Sequence, residues 1–118
     1  MKAFILSSVI FLILIFLIVI NSIYIHKSCD EMQEILRDIY PTDKVKINNL
    51  CSFWENHKMI FSISIHDSQI EKINELTESI KSAATNGDDA EFNKSIILLN
   101  GVLAELKKNE EISFQGII

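Results

Sequence analysis

The sequence predicts an all-α protein in which an N-terminal transmembrane helix is followed by a small up-down antiparallel bundle, four helices counting the extension of the membrane helix. Three observations predict it: an unbroken apolar run at the N-terminus, apolar residues that recur every three or four positions afterwards, and few helix-breaking residues. Of 118 residues, one is Pro and three are Gly, which disfavours a loop-rich or many-stranded domain. We therefore expect a transmembrane anchor (1–25), a helical bundle (26–109) and an apolar C-terminal tail (110–118).

The N-terminal segment is long enough to cross a membrane. Within residues 3–20 only Ser7 and Ser8 are not apolar, and no charge interrupts the run. Extended to Ile25, the run measures ~34 Å as a helix, against ~30 Å for a hydrocarbon core. A cleaved signal peptide is the alternative, but the run exceeds a typical signal-peptide core and no small-residue cleavage site follows. These features favour an uncleaved single-pass anchor in the cell membrane.

The charges around this segment bear on its orientation. Lys2 and the amino terminus precede it, while Lys27 and Arg37 follow it, so the positive-inside count is nearly balanced. Because the short N-terminus has nothing to hold outside, we expect it inside and the bundle to be extracytoplasmic. All sixteen Asp and Glu residues come after the anchor, and such an acidic surface disfavours nucleic acid as a partner.

Four stretches beyond the anchor share one apolar rhythm. Alternating steps of three and four residues average 3.5, which marks the seams of helices packed in a left-handed bundle. Mutual burial of the four seams is the simplest explanation. The predicted seams are Ile25, Cys29, Met32, Leu36 and Ile39 in the first helix; Ile47, Cys51, Trp54, Phe61 and Ile65, with the polar Lys58, in the second; Ile70, Ile73, Thr77, Ile80 and Ala84 in the third; and Phe92, Ile96, Leu99, Leu103 and Leu106 in the fourth.

Turn residues separate the first three helices. A residue before proline is pushed out of the α region, so Pro41 is expected to end the first helix at Tyr40. Thr42 can cap the second helix, and Asp67 or Ser68 can cap the third.

The last connection carries the clearest signals. Asn86 and Gly87 supply the left-handed residue that closes the third helix. Asp88 followed by Glu91 approximates a capping box that opens the fourth. Connections this short favour antiparallel neighbours.

One segment of the second helix is ambiguous. Residues 61–65 alternate apolar and polar as a strand does, but a lone strand would have no partner in this chain, so we expect helix. The same helix carries further apolar residues on its far side. A helix that is apolar on two faces lies centrally or uses one face to bind something. These far-side residues are Phe53, Met59, Ile60 and Ile63.

The sequence shows no recognisable catalytic motif. His26, His57 and His66 lack a second histidine or carboxylate at the spacing of the helical H-E-x-x-H or E-x-x-H metal motifs. There is no Gly-rich phosphate loop and no nucleophile elbow. We expect no enzyme, no cofactor and no bound small molecule. A metal-binding enzyme centred on His66, with Asp67 and Glu71, is the least favoured alternative.

Trp54 and the two cysteines are expected to serve packing. Trp54, the single tryptophan, lies on the second seam and is the candidate core anchor, with its indole N–H seeking a partner; ligand stacking is the alternative. Cys29 and Cys51 also lie on seams and fit buried thiols. One disulfide between them is the alternative if the bundle is extracytoplasmic.

The stretch W-E-N-H-K-M-I-F-S-I-S-I-H-D, from Trp54 to Asp67, with Ile70 and Ile73 opening a helix after it, resembles the family catalogued as domain of unknown function 4363. Its members are short bacterial proteins with an N-terminal membrane span, a helical remainder and an ending of the form apolar-x-apolar-x-Asn-Ile-Phe. Here the ending is I-S-F-Q-G-I-I, with Gly116 in place of the Asn and Ile118 in place of the Phe. The resemblance implies this layout and no assigned activity.

These features together predict a single-pass membrane-anchored interaction or accessory protein that contacts the lipid bilayer and docks to a membrane partner or self-associates. If the helices alternate in direction from the anchor, the turn after Ile65 and the tail both lie near the bilayer. An extracytoplasmic bundle that senses a small ligand between its helices is the alternative. The expected interaction surface is Phe61, Ile63, His66, Ile112, Phe114, Ile117 and Ile118.

Overall fold

A computed structural model describes the backbone of residues 1–117 and the side chains of residues 1–109. All regular secondary structure in that part of the chain is α-helical, which confirms the all-α fold class and the helical state of residues 61–64. The four helices are α1 Lys2–Leu36, α2 Lys44–Ser64, α3 Asp67–Asn86 and α4 Asp89–Ile117.

The helices pack in a closed ring around one core. α1 contacts α2 and α4, and α3 contacts the same two helices, while neither diagonal pair makes a comparable contact in the described residues. Each helix therefore buries one stripe between two neighbours. The molecule is elongated, 67 Å long by 23 and 22 Å across, because α1 projects beyond the other three helices.

α1 passes through two environments without a break. Residues 1–14 are all exposed, and no residue of its most apolar 18-residue window is buried. Further along, the four predicted seam residues within the helix are all buried, from Ile25 at 0% exposure to Leu36 at 2%, and the fifth, Ile39, is buried at 8% just beyond the end of α1. α1 is long and apolar enough to cross a membrane, and the same helix contributes to the bundle core.

The buried seam of α2 differs from the predicted one at a single step. Leu50 is fully buried, whereas Cys51, the predicted seam residue, is half-buried. Both residues fit between Ile47 and Trp54, since steps of three then four and of four then three are equally periodic. The larger apolar side chain gains more from burial, so Leu50 takes the core position.

The buried stripes of α3 and α4 are wider than single seams. In α3, Leu76 and Ala83 are buried, while the predicted Ile70 and Ala84 are half-buried at its edge. In α4, Ser95 is buried and the predicted Ile96 is half-buried. A helix that contacts two neighbours buries a stripe broader than a two-helix seam, which brings the adjacent residues into the core.

The connection between α1 and α2 is longer than predicted. α1 ends at Leu36 rather than at Tyr40, because Arg37 is extended and Asp38 adopts a left-handed conformation with φ 53, which Asp tolerates better than most residues. Asp43, not Thr42, precedes α2. The Asp43 carboxylate accepts a hydrogen bond from the Tyr40 N–H at 3.1 Å and thereby closes the loop around Pro41.

The other two connections are short. His66 is the residue before α3, so the predicted caps Asp67 and Ser68 lie inside the helix. The Asp67 carboxylate, in the first turn, lies near the positive end of the helix dipole. Gly87 closes α3 with φ 72, and the Asp88 carboxylate accepts a hydrogen bond from the Glu91 N–H at 3.1 Å. The predictions at Gly87 and for the Asp88 cap are confirmed.

The choice between Leu50 and Cys51 makes a direct test of the α2 packing. Leu50→Ala should lower the free energy of unfolding by about 2–5 kcal/mol, because it removes fully buried methyl groups and leaves a cavity. Cys51→Ala should cost less, since this thiol is half-buried. Urea denaturation of the detergent-solubilised protein, followed by far-UV circular dichroism, measures both. A larger loss for Cys51→Ala would contradict the observed packing.

Candidate functional site

The described residues do not assemble a metal site. No group of three or more His, Cys, Asp and Glu side chains among them could hold a metal ion. His66, Asp67 and Glu71 are individually exposed, so the alternative site centred on His66 does not form there. No disulfide joins Cys29 and Cys51; Cys29 is buried, and burial raises the pKa of the half-buried Cys51 thiol. This arrangement corresponds to packed thiols.

Exposed apolar side chains show where the bundle has surface to offer. On α2, Met59 is 78% exposed, Ile63 is 77% and Ile60 is 38%, all within the last two turns of the helix. We call these three residues the α2 end patch. On α4, Ile97 is 71% exposed and Leu98 is 42%. Isolated exposed apolar residues are ordinary, but the α2 end patch is grouped at one end of one helix.

Phe61 does not belong to the accessible surface. It is 0% exposed, and its ring meets the ring of Trp54 edge to face, with centroids 5.3 Å apart and planes at 83°. The structure therefore corrects the prediction that Phe61 contacts a partner. Phe61 lies between Ile60 and Ile63 in sequence, but its direction on the helix turns it inward.

Of the other predicted surface residues, the structure describes the side chains of two. Ile63 and His66 are both exposed. Ile112, Phe114 and Ile117 fall within α4, which runs on to Ile117, but their side chains are outside the described residues. Ile118 is outside them altogether. The contribution of these four residues stays a prediction.

Trp54 lies inside the bundle at 1% exposure. Its indole Nε1–H donates a hydrogen bond to Oδ1 of Asn74 on α3, 2.5 Å away. A buried indole N–H without an acceptor would be costly, so Asn74 satisfies the one polar atom that Trp54 brings into the core. The sequence indicates the need for such a partner, but the position of Asn74 follows only from the packing of α2 against α3.

A column of three rings joins α2 to α1 at the C-terminal end of the apolar run of α1. The His57 ring stacks on Phe53, with centroids 4.0 Å apart, and more loosely on Tyr24 of α1, at 5.9 Å. The His57 Nδ1 atom lies 2.7 Å from the carbonyl oxygen of Phe53, so Nδ1 must carry the proton to donate this bond. The column fixes the level of α2 along α1.

A polar cluster joins α4 to α1 just beyond the predicted anchor. Lys107 forms an ion pair with the Asp30 carboxylate and donates a hydrogen bond to Oε1 of Gln33 at 3.1 Å. His26 Nδ1 lies 3.4 Å from the other carboxylate oxygen of Asp30. The hydrogen bond from Lys107 is the largest cause that lowers the pKa of Asp30 below its ordinary value of 3.8; the nearby charges lower it further, and partial desolvation opposes them.

Sequence reasoning did not find this cluster. His26 and Asp30 are four residues apart on one helix, a spacing that places side chains on the same face and that could have been noticed. Lys107 is 74 residues from Gln33, and nothing in the local sequence signals that contact. The cluster fixes where the last turns of α4 begin relative to the apolar part of α1.

No family model, no curated protein and no solved structure matches this chain. The predicted resemblance to the domain of unknown function 4363 family gains no support from these comparisons and stays a prediction.

The hydrogen bond between Trp54 and Asn74 can be tested by removing its acceptor. Asn74→Ala should lower the free energy of unfolding by about 1–3 kcal/mol, because the buried indole N–H loses its partner. Asn74→Asp retains an acceptor oxygen and should cost less. Tryptophan fluorescence during urea unfolding reports both variants, and equal stability of Asn74→Ala and the unmodified protein would contradict the assigned role.

The polar cluster predicts a specific pH dependence. Because the pKa of Asp30 is lowered on folding, its ionised form stabilises the protein above the ordinary pKa of 3.8, and this contribution is lost as the pH falls through the folded pKa. Asp30→Asn should lower the free energy of unfolding at neutral pH by no more than about 1 kcal/mol, since the pair is half-exposed. The difference should vanish in acid.

Glu31→Gln is the matched control for that experiment. It removes one carboxylate from the neighbouring exposed position and changes the net charge by the same amount. Urea unfolding across a pH series measures both variants. A difference between Asp30→Asn and the unmodified protein that persists well below pH 3.8 would exclude the ion pair as its cause.

Proposed function

We propose that this protein is a single-pass membrane-anchored interaction or accessory module, whose bundle docks at its membrane-proximal end to a membrane partner or to a second copy. The observation that carries the proposal is the continuity of α1. One uninterrupted helix carries an exposed apolar segment at its N-terminal end and a buried core stripe at its C-terminal end. An apolar segment that the protein itself leaves uncovered calls for lipid as its surroundings.

The proposal includes an up-down antiparallel order of the helices. Between α1 and α2, Lys46 Nζ donates to the carbonyl oxygen of Arg37 at 3.4 Å, and His57 stacks on Tyr24. The residue number thus rises along α2 as it falls along α1, which supports opposite directions for the two helices.

The contacts between α2 and α3 support the same order. Between α2 and α3, Trp54 contacts Asn74, and a groove near the start of α2 is lined by Ile47 together with Lys81 and Ala84 from the last turns of α3. In such an order the turn between α2 and α3 and the end of α4 both approach the membrane. We therefore place the interaction surface at that end.

Two parts of this end are candidates for contact with a partner. One is the α2 side, with the exposed Ile63 and His66. The other is the last stretch of α4. Lys107 lies beside Asp30 of α1, and α4 continues past it for ten residues, ~15 Å of helix, to Ile117. In the proposed antiparallel order, that extension runs alongside the part of α1 where the exposed apolar segment begins.

We also propose that the N-terminus faces the cytoplasm and the bundle lies outside. Lys2 supplies a positive charge at the inner end of the span. A small extracytoplasmic bundle with one span has no transport path of its own, so its activity would be exerted through what it binds.

Photocrosslinking from α4 tests docking to a partner. A benzophenone amino acid in place of Phe114, in the full-length protein within its native membrane, should give adducts with a membrane protein or with a second copy, identified by mass spectrometry. The matched control replaces Ile97, which is exposed on the same helix at its other end.

Adducts to protein at position 114 that do not exceed those at position 97 would contradict docking through the end of α4. In a separate extraction, release of the protein from membranes by alkaline carbonate would contradict anchoring by α1.

A further inference from the structure

The length of α1 sets a constraint on how the bundle meets the membrane. Residues 1–14 are exposed on every side of the helix. From Ile15 onward one face of α1 is partly covered, since Ile15 and Val19 are half-buried, while residues 16–18 stay exposed. The helical residues 2–14, which are exposed on every side, measure about 20 Å, roughly 10 Å less than a hydrocarbon core. If α1 spans the bilayer, either the bilayer thins or the end of the bundle enters its outer layer.

The ring column shows which part of the bundle would enter. His57 stacks on Tyr24 of α1, and α2 continues past His57 to Ser64, about 10 Å further along the helix axis. With α2 antiparallel to α1, Ile63 reaches the level of about Ile18. That level lies within the exposed apolar segment of α1, in which Ile18 and Ile23 are 52% and 59% exposed.

The end of α2 carries the side chains that this location requires. The three residues of the α2 end patch are exposed and apolar, and they lie at the same height as the lipid-facing side chains of α1. Ser62, His66 and Asp67 are exposed beside them. A mixture of apolar and polar side chains suits the boundary between headgroups and acyl chains, where amphipathic helices bury their apolar face by ~5–10 Å. The Asp67 carboxylate limits the insertion to this layer, since a charge in hydrocarbon is costly.

We infer that the α2 end patch, Met59, Ile60 and Ile63, is a second membrane-contacting surface that inserts into the outer headgroup and acyl boundary of the bilayer, beside α1. The inference rests on the proposed anchoring by α1. It assigns lipid, rather than a protein partner, as what covers Ile63, and leaves partner docking to the last stretch of α4. Lipid is assigned because the patch lies at the height of the exposed apolar segment of α1. In addition, the length by which the fully exposed part of α1 falls short of the hydrocarbon core matches the depth of insertion. The end of the bundle that carries the α2 end patch is then embedded in the membrane surface, and α1 does not hold the bundle away from the bilayer.

Tryptophan quenching by brominated lipid tests the inference on the full-length protein. The protein is placed one chain to a nanodisc, in phosphatidylcholine with bromine on the upper acyl chain. Ile63→Trp and Met59→Trp each add one emitter, and the emission of Trp54 in the unmodified protein is subtracted. The matched control is Val45→Trp, because Val45 is 73% exposed on the same helix but at its other end.

The expected result is strong quenching of the added emission at positions 59 and 63 and none at position 45. Phe11→Trp, in the exposed apolar segment of α1, distinguishes contact of the α2 end patch with lipid from anchoring by α1. If position 11 is quenched and positions 59 and 63 behave like position 45, the inference is wrong while the anchor stands. If position 11 is also unquenched, the proposed anchoring fails.

A second copy as the occupant gives a different outcome. In nanodiscs loaded with two chains, unchanged quenching at position 63 supports lipid contact. Loss of that quenching on going from one chain to two would show that a second copy covers the α2 end patch and would overturn the assignment to lipid.

Discussion

The structure depends on one continuous helix that joins an exposed apolar segment to a buried core stripe. α1 has 35 residues and contains neither Pro nor Gly, so nothing in its sequence breaks the backbone hydrogen bonds between its two halves. Its N-terminal half exposes apolar side chains on every side, while its C-terminal half exposes polar residues and buries one stripe against α2 and α4. The position of the bundle relative to the exposed apolar segment is therefore set by α1.

The core of the bundle uses the side chains that most resemble functional ones in the sequence. Trp54 and Phe61 pack edge to face inside the ring, and Asn74 satisfies the indole. His57 lies in a stack that fixes α2 on α1. Among the side chains that the structure describes, the exposed apolar ones at the end of α2 are grouped together, whereas other exposed apolar residues, such as Val45 and Ile97, lie apart from them.

The sequence predicts the fold class well, because the apolar rhythm and the apolar N-terminal run are strong local signals. It predicts the four buried residues of α1 that follow the apolar rhythm, Ile25, Cys29, Met32 and Leu36, but not the buried Ser22 and Ser28, because polar residues do not show in an apolar pattern. It does not separate Leu50 from Cys51, because both fit the same rhythm and only side-chain volume decides between them. The end of α1 is also misplaced, since the left-handed Asp38 stops the helix before Pro41 acts.

The surface was harder to predict than the core. Alternation in residues 61–65 made Phe61 and Ile63 look equivalent, whereas the helix turns Phe61 into the core and leaves Ile63 at 77% exposure. The contact of Lys107 with Asp30 and Gln33 depends on the register of α4 against α1, which no local pattern encodes. What the sequence does indicate is the surplus of apolar residues near the end of α2, beyond what a seam needs.

The most direct test of this account is hydrogen exchange along α1 in the full-length protein held in nanodiscs. If one unbroken helix joins the span to the bundle, the amides of residues 20–28 should exchange as slowly as those of residues 29–36, because every one is hydrogen-bonded within a helix supported on both sides. A rapidly exchanging stretch in residues 20–28 would reveal a hinge, and it would contradict the claim that α1 holds the bundle at a fixed height in the membrane surface.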